Sequence, residues 1–291
     1  MPRRDRAYRT WEKWAFRYLP GYQKAARGLI YAGREVTALG FCYEPRILGL
    51  AQKQAQANIR RAIPDAALRK AVTPTFQMGC KRVLISNDYY PAIARENVEL
   101  VTDGIAEIRP GGIVTNDGVE RPIDVLISAT GFHVTDSPAA HLIKGADGRT
   151  LGAHWAEFGM QAYKGTTVAG FPNMFSIVGP NTGLGHTSMV YMIESQLNYV
   201  MDALAVMERF DLATVEVRPS VQDEYNSELQ KRMAKTIWMT GGCASWYLDD
   251  HGRNTTLWPD FTFKFRSITR EFDLAAYTST ARGDIAGQES R

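Results

Sequence analysis

Four short segments of this chain carry residue types suited to chemistry. Residues 171–196, FPNMFSIVGPNTGLGHTSMVYMIESQ, read as a buried strand, a glycine-rich turn and a long amphipathic helix. Such an order brings backbone N–H groups and the positive end of a helix to one point, where an anionic or electron-rich cofactor can sit. Gly179, Pro180, Asn181 and Thr182 form the turn, and Ser188 and Met189 stand where the helix begins. Upstream, residues 124–132, DVLISATGF, place Thr130 and Gly131 directly after an apolar run. Glycine there permits close approach of a ligand to backbone beyond the carboxyl end of a strand. Lys81-Arg82 offers a cation pair shortly before Asp88-Tyr89-Tyr90, and Ala244-Ser245-Trp246-Tyr247 offers an indole N–H. Read without context, Lys-Arg caps a solvated strand edge, Trp246 simply packs, and Met189 is a core methionine.

His186 could serve as a general base, yet no Ser/Asp spacing supports a triad and no GxSxG elbow occurs. His133 follows the ATGF turn and is a candidate for the substrate side; Asp124 is read as fixing its strand or a nearby turn.

The elements that must position these residues alternate between helix and strand, so the fold class is α/β. Trp11, Trp14, Ala15, Tyr18, Leu19 and Tyr22 recur at helical spacing with basic residues between them. That predicts a core-facing helix with a solvated basic side, broken at Pro20-Gly21. Residues 44–72 read as helical, with a new short helix starting at Pro64. Strands are predicted at 82–85, 98–101, 123–128 and 174–178, the third apolar enough to be buried on both faces of a parallel sheet. Residues 105–115 read as a hairpin turning at Arg109-Pro110-Gly111-Gly112. Residues 136–170 read as loop, 186–209 and 221–239 as helices, and the segment from Tyr277 as a disordered tail.

Bulk properties narrow the function classes. A chain of 291 residues with 45% hydrophobic and 22% charged content is an ordinary globular protein. A net charge of +3 does not argue for nucleic-acid binding, although Arg3, Arg4, Arg6, Arg9, Lys13, Arg17, Lys24 and Arg27 crowd the first residues. Cys42, Cys80 and Cys243 are far apart and odd in number, which argues against a zinc site or a disulfide framework and for a reducing cytoplasm. No apolar run reaches membrane-spanning length. The sequon at Asn254 is read as a chance match.

Taken in order, the segments resemble the flavin-dependent Baeyer–Villiger monooxygenases, within the wider flavin-containing monooxygenases. Residues 124–132 look like the family's late strand–turn motif, and residues 171–196 are similar to its FAD-side strand, turn and helix. Lys81-Arg82 with Asp88-Tyr89-Tyr90 resembles its active-site segment, and residues 244–247 resemble a short motif near the nicotinamide cofactor. The resemblance spans residues 76–260 clearly and the first 75 less distinctly.

It implies that NADPH reduces FAD, that oxygen then gives a flavin C4a-peroxide, and that a ketone becomes an ester or lactone. Related sites oxidise sulfides or amines. It implies Arg82 as the catalytic arginine, a fixed cation that keeps its charge, and Lys81 and Trp246 as NADP contacts. It implies Thr130, Gly131, Gly179, Pro180, Asn181, Thr182, Ser188 and Met189 as cofactor-binding, with backbone near Ser188 and Met189 at the flavin's pyrimidine edge. No metal is expected.

A two-cofactor flavoprotein of this kind should also carry two GxGxxG motifs, one for each pyrophosphate. Neither occurs in the sequence. The expected fold is therefore the remainder of a two-dinucleotide-binding-domain, Rossmann-like flavoprotein, starting at an internal methionine. Residues 1–130 are assigned to the C-terminal part of the NADP domain (helical over 1–75), 131–275 to the C-terminal part of the FAD domain, and 276–291 to the tail. Such a chain is expected to hold FAD weakly and turn over little ketone alone. A non-catalytic binding module that keeps part of a cofactor surface stays open as the alternative. So does heteroatom oxidation, and a hydrolase built on His186 is disfavoured.

Overall fold

The computed structural model describes residues 6–131, 135 and 137–283. It divides into two compact units. One comprises Ala51–Thr75 and Leu84–Phe132, together with the first residues; the other comprises Arg6–Leu50, Phe76–Val83 and His133–Arg291.

Helices open the chain. α1 spans Thr10–Tyr18, and α2 spans Tyr22–Glu35. Pro20 cannot continue the first helix, and Gly21 turns the backbone with a φ of 80°. The aromatic stripe of α1 does not face a core. Trp11, Trp14 and Tyr18 are exposed, and Glu12 and Ala15 are the buried positions, which corrects the expected orientation. α3 (Leu48–Ala62) and α4 (Ala66–Val72) follow, and the Asp65 carboxylate caps α4 by accepting from Leu68 N at 2.7 Å. α5 covers Tyr89–Ile93.

The hairpin stands as read. β1 (Ile105–Arg109) pairs antiparallel with β2 (Gly112–Thr115) across Gly111, whose φ is 81°. β3 (Glu120–Pro122) adds to β2. Three expected strands form no ladder among the described residues: 82–85, 98–101 and 123–128. Apolar content marks a buried strand only where neighbours lie on both sides. Here Val125 is 74% exposed and Ile127 81%. Residues 174–178 likewise lack a ladder.

The larger unit holds the main core. α6 (Leu151–Phe158), within the stretch read as loop, is capped by Thr150 Oγ1 on Ala153 N at 3.2 Å and ended by Gly159. Its apolar residues are too few to show a clear helical period. α7 runs Met189–Arg209, starting after His186 rather than at it. β4 (Leu212–Val217) leads to α8 (Pro219–Met233), and a break at 234–236 separates α9 (Ile237–Thr240) from it. The expected single helix over 221–239 is thus two. α10 covers Thr262–Ile268.

β5 (Tyr277–Ala281) pairs antiparallel with β4, so these residues are not part of a disordered tail. Tyr277 anchors the strand in the core with Phe272, Tyr199 and Val217. A second cluster joins Met192, Leu229, Met233, Trp238, Tyr247, Trp258 and Phe265. Cys80 and Cys243 are joined by a disulfide, contrary to the cysteine count's suggestion, and Cys42 is free and buried. Among the described residues no His, Cys, Asp and Glu group could hold a metal, and no helix is long and apolar enough to cross a membrane.

Candidate cofactor site

The glycine-rich turn is a fixed object. Asn181 adopts a φ of 56°, a left-handed conformation that asparagine tolerates better than most residues. Its side-chain amide donates to Asn254 O at 2.8 Å and to Leu257 O at 2.9 Å. Its backbone N–H donates to Thr255 O at 2.8 Å. Thr182 Oγ1 closes the turn on Gly179 O at 2.6 Å. A Cβ on Gly183 would sit 2.7 Å from Thr256 O, so only glycine lets these two backbones meet. Pro180, Asn181 and Thr182 are all buried, and the asparagine and threonine side chains are spent on this internal framework. Asn254 is itself buried, its Oδ1 accepting from Leu257 N at 3.0 Å, which accords with a chance sequon.

Gln196 clamps the turn onto α7. Its Oε1 accepts from Val178 N at 2.9 Å. Its Nε2 donates to Gly165 O at 2.8 Å and lies within reach of Thr166 Oγ1 at 3.1 Å and Ser176 O at 3.2 Å. Gln196 is fully buried, so its bonds to Gly165 O and Thr166 Oγ1 act without competition from water. Val178 takes a φ of 59°, a strained conformation for a β-branched residue. The clamp holds that strain in place, on the last residue before Gly179.

At the start of α7, Ser188 is the N-cap but its side chain makes no capping bond, and no carboxylate stands in the first turn. Ser188 is exposed and Met189 half-buried against the main core. A helix start with these features presents N–H groups and positive potential outward. It suits an electron-rich ring edge or an anion. Tyr191, in the same turn, is held by stacking on Tyr31 at 4.9 Å and by the Arg266 guanidinium 3.9 Å above its ring.

The cation segment belongs to the same unit. Lys81 and Arg82 are exposed, with the Lys81 ammonium 5.1 Å from the Phe76 ring. Arg82 faces the buried Tyr247: burial pushes the Tyr247 phenol up, and the guanidinium opposes that push. The Tyr247 hydroxyl has no hydrogen-bond partner of normal geometry. Trp246 is 50% exposed, its ring 4.4 Å from that of Tyr247. Arg82, Tyr247 and Trp246 thus form one neighbourhood, tied by the disulfide between the residues just before Lys81 and Ala244.

Thr130 and Gly131 lie in the other unit, both exposed, Gly131 with a φ of 98° and open space where a Cβ would be. Phe132 and His133 fall outside the described residues, as do the first five.

His186 does not resemble a general base. Its side chain is buried, burial lowers its pKa to about 4, and neither ring nitrogen has a hydrogen-bond partner. The Glu35 carboxylate lies 3.6 Å away but already accepts from Thr262 N and Oγ1 at 2.9 and 2.8 Å. The sequence reading missed Gln196, Tyr247 and the disulfide. A polar residue inside the apolar stripe of α7 was the available signal for Gln196; the pairing of Cys80 with Cys243, 163 residues apart, had none.

Comparisons with known proteins bear on what this arrangement serves. No family model matches the chain. It is 48% identical over 281 residues to a Baeyer–Villiger monooxygenase of Pseudomonas aeruginosa, covering 96% of this chain and 53% of that protein. The chain belongs to the Baeyer–Villiger monooxygenase family. It is also 35% identical over 240 residues to the FAD-binding monooxygenase ktnD of Aspergillus niger, covering 81% of this chain and 39% of that protein. Among solved structures, cyclohexanone monooxygenase from Rhodococcus sp. Phi1 bound to NADP+ matches with a TM-score of 0.70 and 26% identity, over 84% of this chain and 46% of that one. The fold is accordingly part of a Rossmann-like flavoprotein, matching the C-terminal part of such structures. The chain spans about half the length, or less, of the curated relatives it matches.

Proposed function

We propose that this chain contributes to an FAD- and NADPH-dependent monooxygenase that inserts one oxygen atom from O2 beside the carbonyl of a ketone, giving an ester or lactone. The observation that carries the proposal is the uncapped start of α7, locked by Gln196, in the same unit as an exposed Arg82 beside Trp246. When bound, FAD reduced by NADPH supplies the oxygen-activating chemistry. The chain's own residues bind, orient and stabilise charge. Backbone of Ser188 and Met189 at the start of α7 would hold the electron-rich edge of the flavin ring. Gly179–Thr182 keep that helix start in place; the buried Asn181 and Thr182 side chains support the site without touching ligand. Gly131 gives open backbone after Thr130. Lys81 and the Trp246 indole N–H hold NADP. Arg82 would act as a fixed positive charge, suited to negative charge that develops during oxygen transfer because its planar guanidinium fork holds its geometry.

We further propose a cytoplasmic setting, a ketone rather than a sulfide or amine as substrate, and weak retention of FAD by this chain alone. Two measurements test the reading. Purified chain mixed with FAD and desalted should keep far less than stoichiometric flavin absorbance; full retention contradicts the last point. This chain, exchanged for the matching segment of the Pseudomonas relative, should support NADPH-dependent conversion of a cyclic ketone to its lactone. A folded, flavin-loaded chimera that oxidises NADPH but never oxygenates the ketone would overturn the assignment.

A further inference from the structure

The residues proposed to hold NADP and stabilise charge sit on two segments far apart in sequence, and each segment begins with one half of the disulfide. Cys80 precedes Lys81-Arg82, and Cys243 precedes Ala244-Ser245-Trp246-Tyr247. The Cα atoms of the two cysteines are 6.1 Å apart. Gln77 N also donates to Gly241 O at 3.0 Å, and Arg82 faces Tyr247. Gly241 is shaped to this contact. A Cβ there would lie 2.7 Å from the Cys80 Cβ and 2.9 Å from its Sγ. Residues 81–83 lie outside any ladder among the described residues, and Val83 packs on the core. The disulfide is therefore a covalent constraint on where Arg82 stands relative to Trp246.

We infer that the Cys80–Cys243 bond is a redox-sensitive positioning link that holds the Arg82 segment against the Trp246 segment. This rests on the proposed function for what the two segments do. Cys80 is fully buried, and Cys243 is half-buried, so a small dithiol can reach the bond from one side. In exchange, a thiolate of the dithiol attacks one sulfur, forming a mixed disulfide and releasing a cysteine thiolate. The second dithiol sulfur then displaces the other cysteine. Two cysteine thiols result, having taken up two electrons and two protons, and the dithiol, oxidised by the same amount, leaves as its disulfide. A reducing compartment would open the link, and an oxidising one would close it. Cys42 takes no part, since it is buried and burial raises its thiol pKa.

The test uses the full chain without added cofactor. Peptide mapping without reductant should show a linked Cys80–Cys243 peptide, and alkylation without reductant should leave both residues unmodified. Hydrogen exchange is then followed across a series of dithiol-to-disulfide ratios. Amides of 77 and 80, donating to Gly241 O and Gln77 O, and of 247 and 248, donating within the Ser245 turn, should exchange at least about tenfold faster once reduced, with a single two-electron midpoint, as expected for local release of a tethered segment. Amides of α8 and of the β4–β5 ladder should not change at that midpoint. The Cys80→Ser/Cys243→Ser variant should show the fast exchange at every ratio. Two free thiols in the unreduced chain, or exchange at 77, 80, 247 and 248 that ignores the ratio, overturns the inference. Loosening of the whole unit at the same midpoint also overturns it, because that is a general structural role. Failure of the functional reading is seen separately: Arg82→Ala would leave oxygenation by the chimera unchanged while the redox response of the chain persisted.

Discussion

Replacing Gln196 by Met keeps a straight side chain of similar length and removes every polar atom from the clamp. Three backbone groups then lose a partner: Gly165 O, Ser176 O and Val178 N. Gly165 is buried and cannot recruit water, so its orphaned carbonyl costs about 1–3 kcal/mol. Ser176 is half-buried and Val178 exposed, so each recovers part of its loss by hydration, leaving about 0.5–1.5 kcal/mol apiece. Thr166 Oγ1 keeps its bond to Lys164 O at 3.0 Å and adds little. The expected destabilisation is about 4 kcal/mol, equivalent to a fall of about 10 °C in Tm for a unit of this size. Denaturant unfolding of the chain, followed by circular dichroism, reads the quantity directly. Gln196→Glu should be worse than the Met variant, because it buries a charge among the Gly165 and Ser176 carbonyls while keeping the acceptor for Val178 N. A loss below about 1 kcal/mol for Gln196→Met would refute the claim that this side chain holds the turn.

Other consequences are equally open to measurement. His186 is depressed to about 4 in the folded state against an ordinary value near 6.5, so the unfolded chain binds more protons between those values. Stability should therefore fall as pH drops from about 6.5 toward 4, by up to about 3 kcal/mol from this group, and His186→Phe should flatten that limb in a pH series of unfolding curves. An unaltered limb would show that His186 is not the titrating group. Val178→Gly removes a left-handed β-branched residue and should be neutral to stabilising by about 1 kcal/mol, despite the added freedom of the unfolded chain. Clear destabilisation would show that the Val178 side chain contributes packing that outweighs its strain.

Local signals in the sequence were sufficient at several turns and helix ends. Pro20-Gly21 ends a helix, Asp65 after Pro64 starts one, and Gly111 turns the β1–β2 hairpin; each depends on residues within one turn of itself. The helical spacing of Met189, Met192, Gln196, Val200, Leu204 and Met207 likewise announces α7. What escaped is what depends on distant partners. Residues 123–128 have the composition of a central strand, but a ladder needs neighbours, and none among the described residues supplies them. β5 has a polar sequence, Tyr277 apart, and becomes a strand because β4 offers it a partner. The aromatic stripe of α1 has helical period without facing a core. In the turn, the glycines were evident, yet the roles of Asn181 and Gln196 needed the positions of residues 254–257 and 165. Cys80 and Cys243 carry no pattern that could pair them.

The central claim, that Arg82 supplies a fixed charge for ketone oxygenation, is tested most directly by Arg82→Ala in the chimera with the Pseudomonas relative. Product lactone and NADPH oxidation are measured together, under conditions where flavin content is unchanged. Removal of one preorganised electrostatic group is expected to lower ketone oxygenation by about 10²–10³-fold, while flavin remains bound. Oxygenation within about twofold of the unsubstituted chimera would contradict the account.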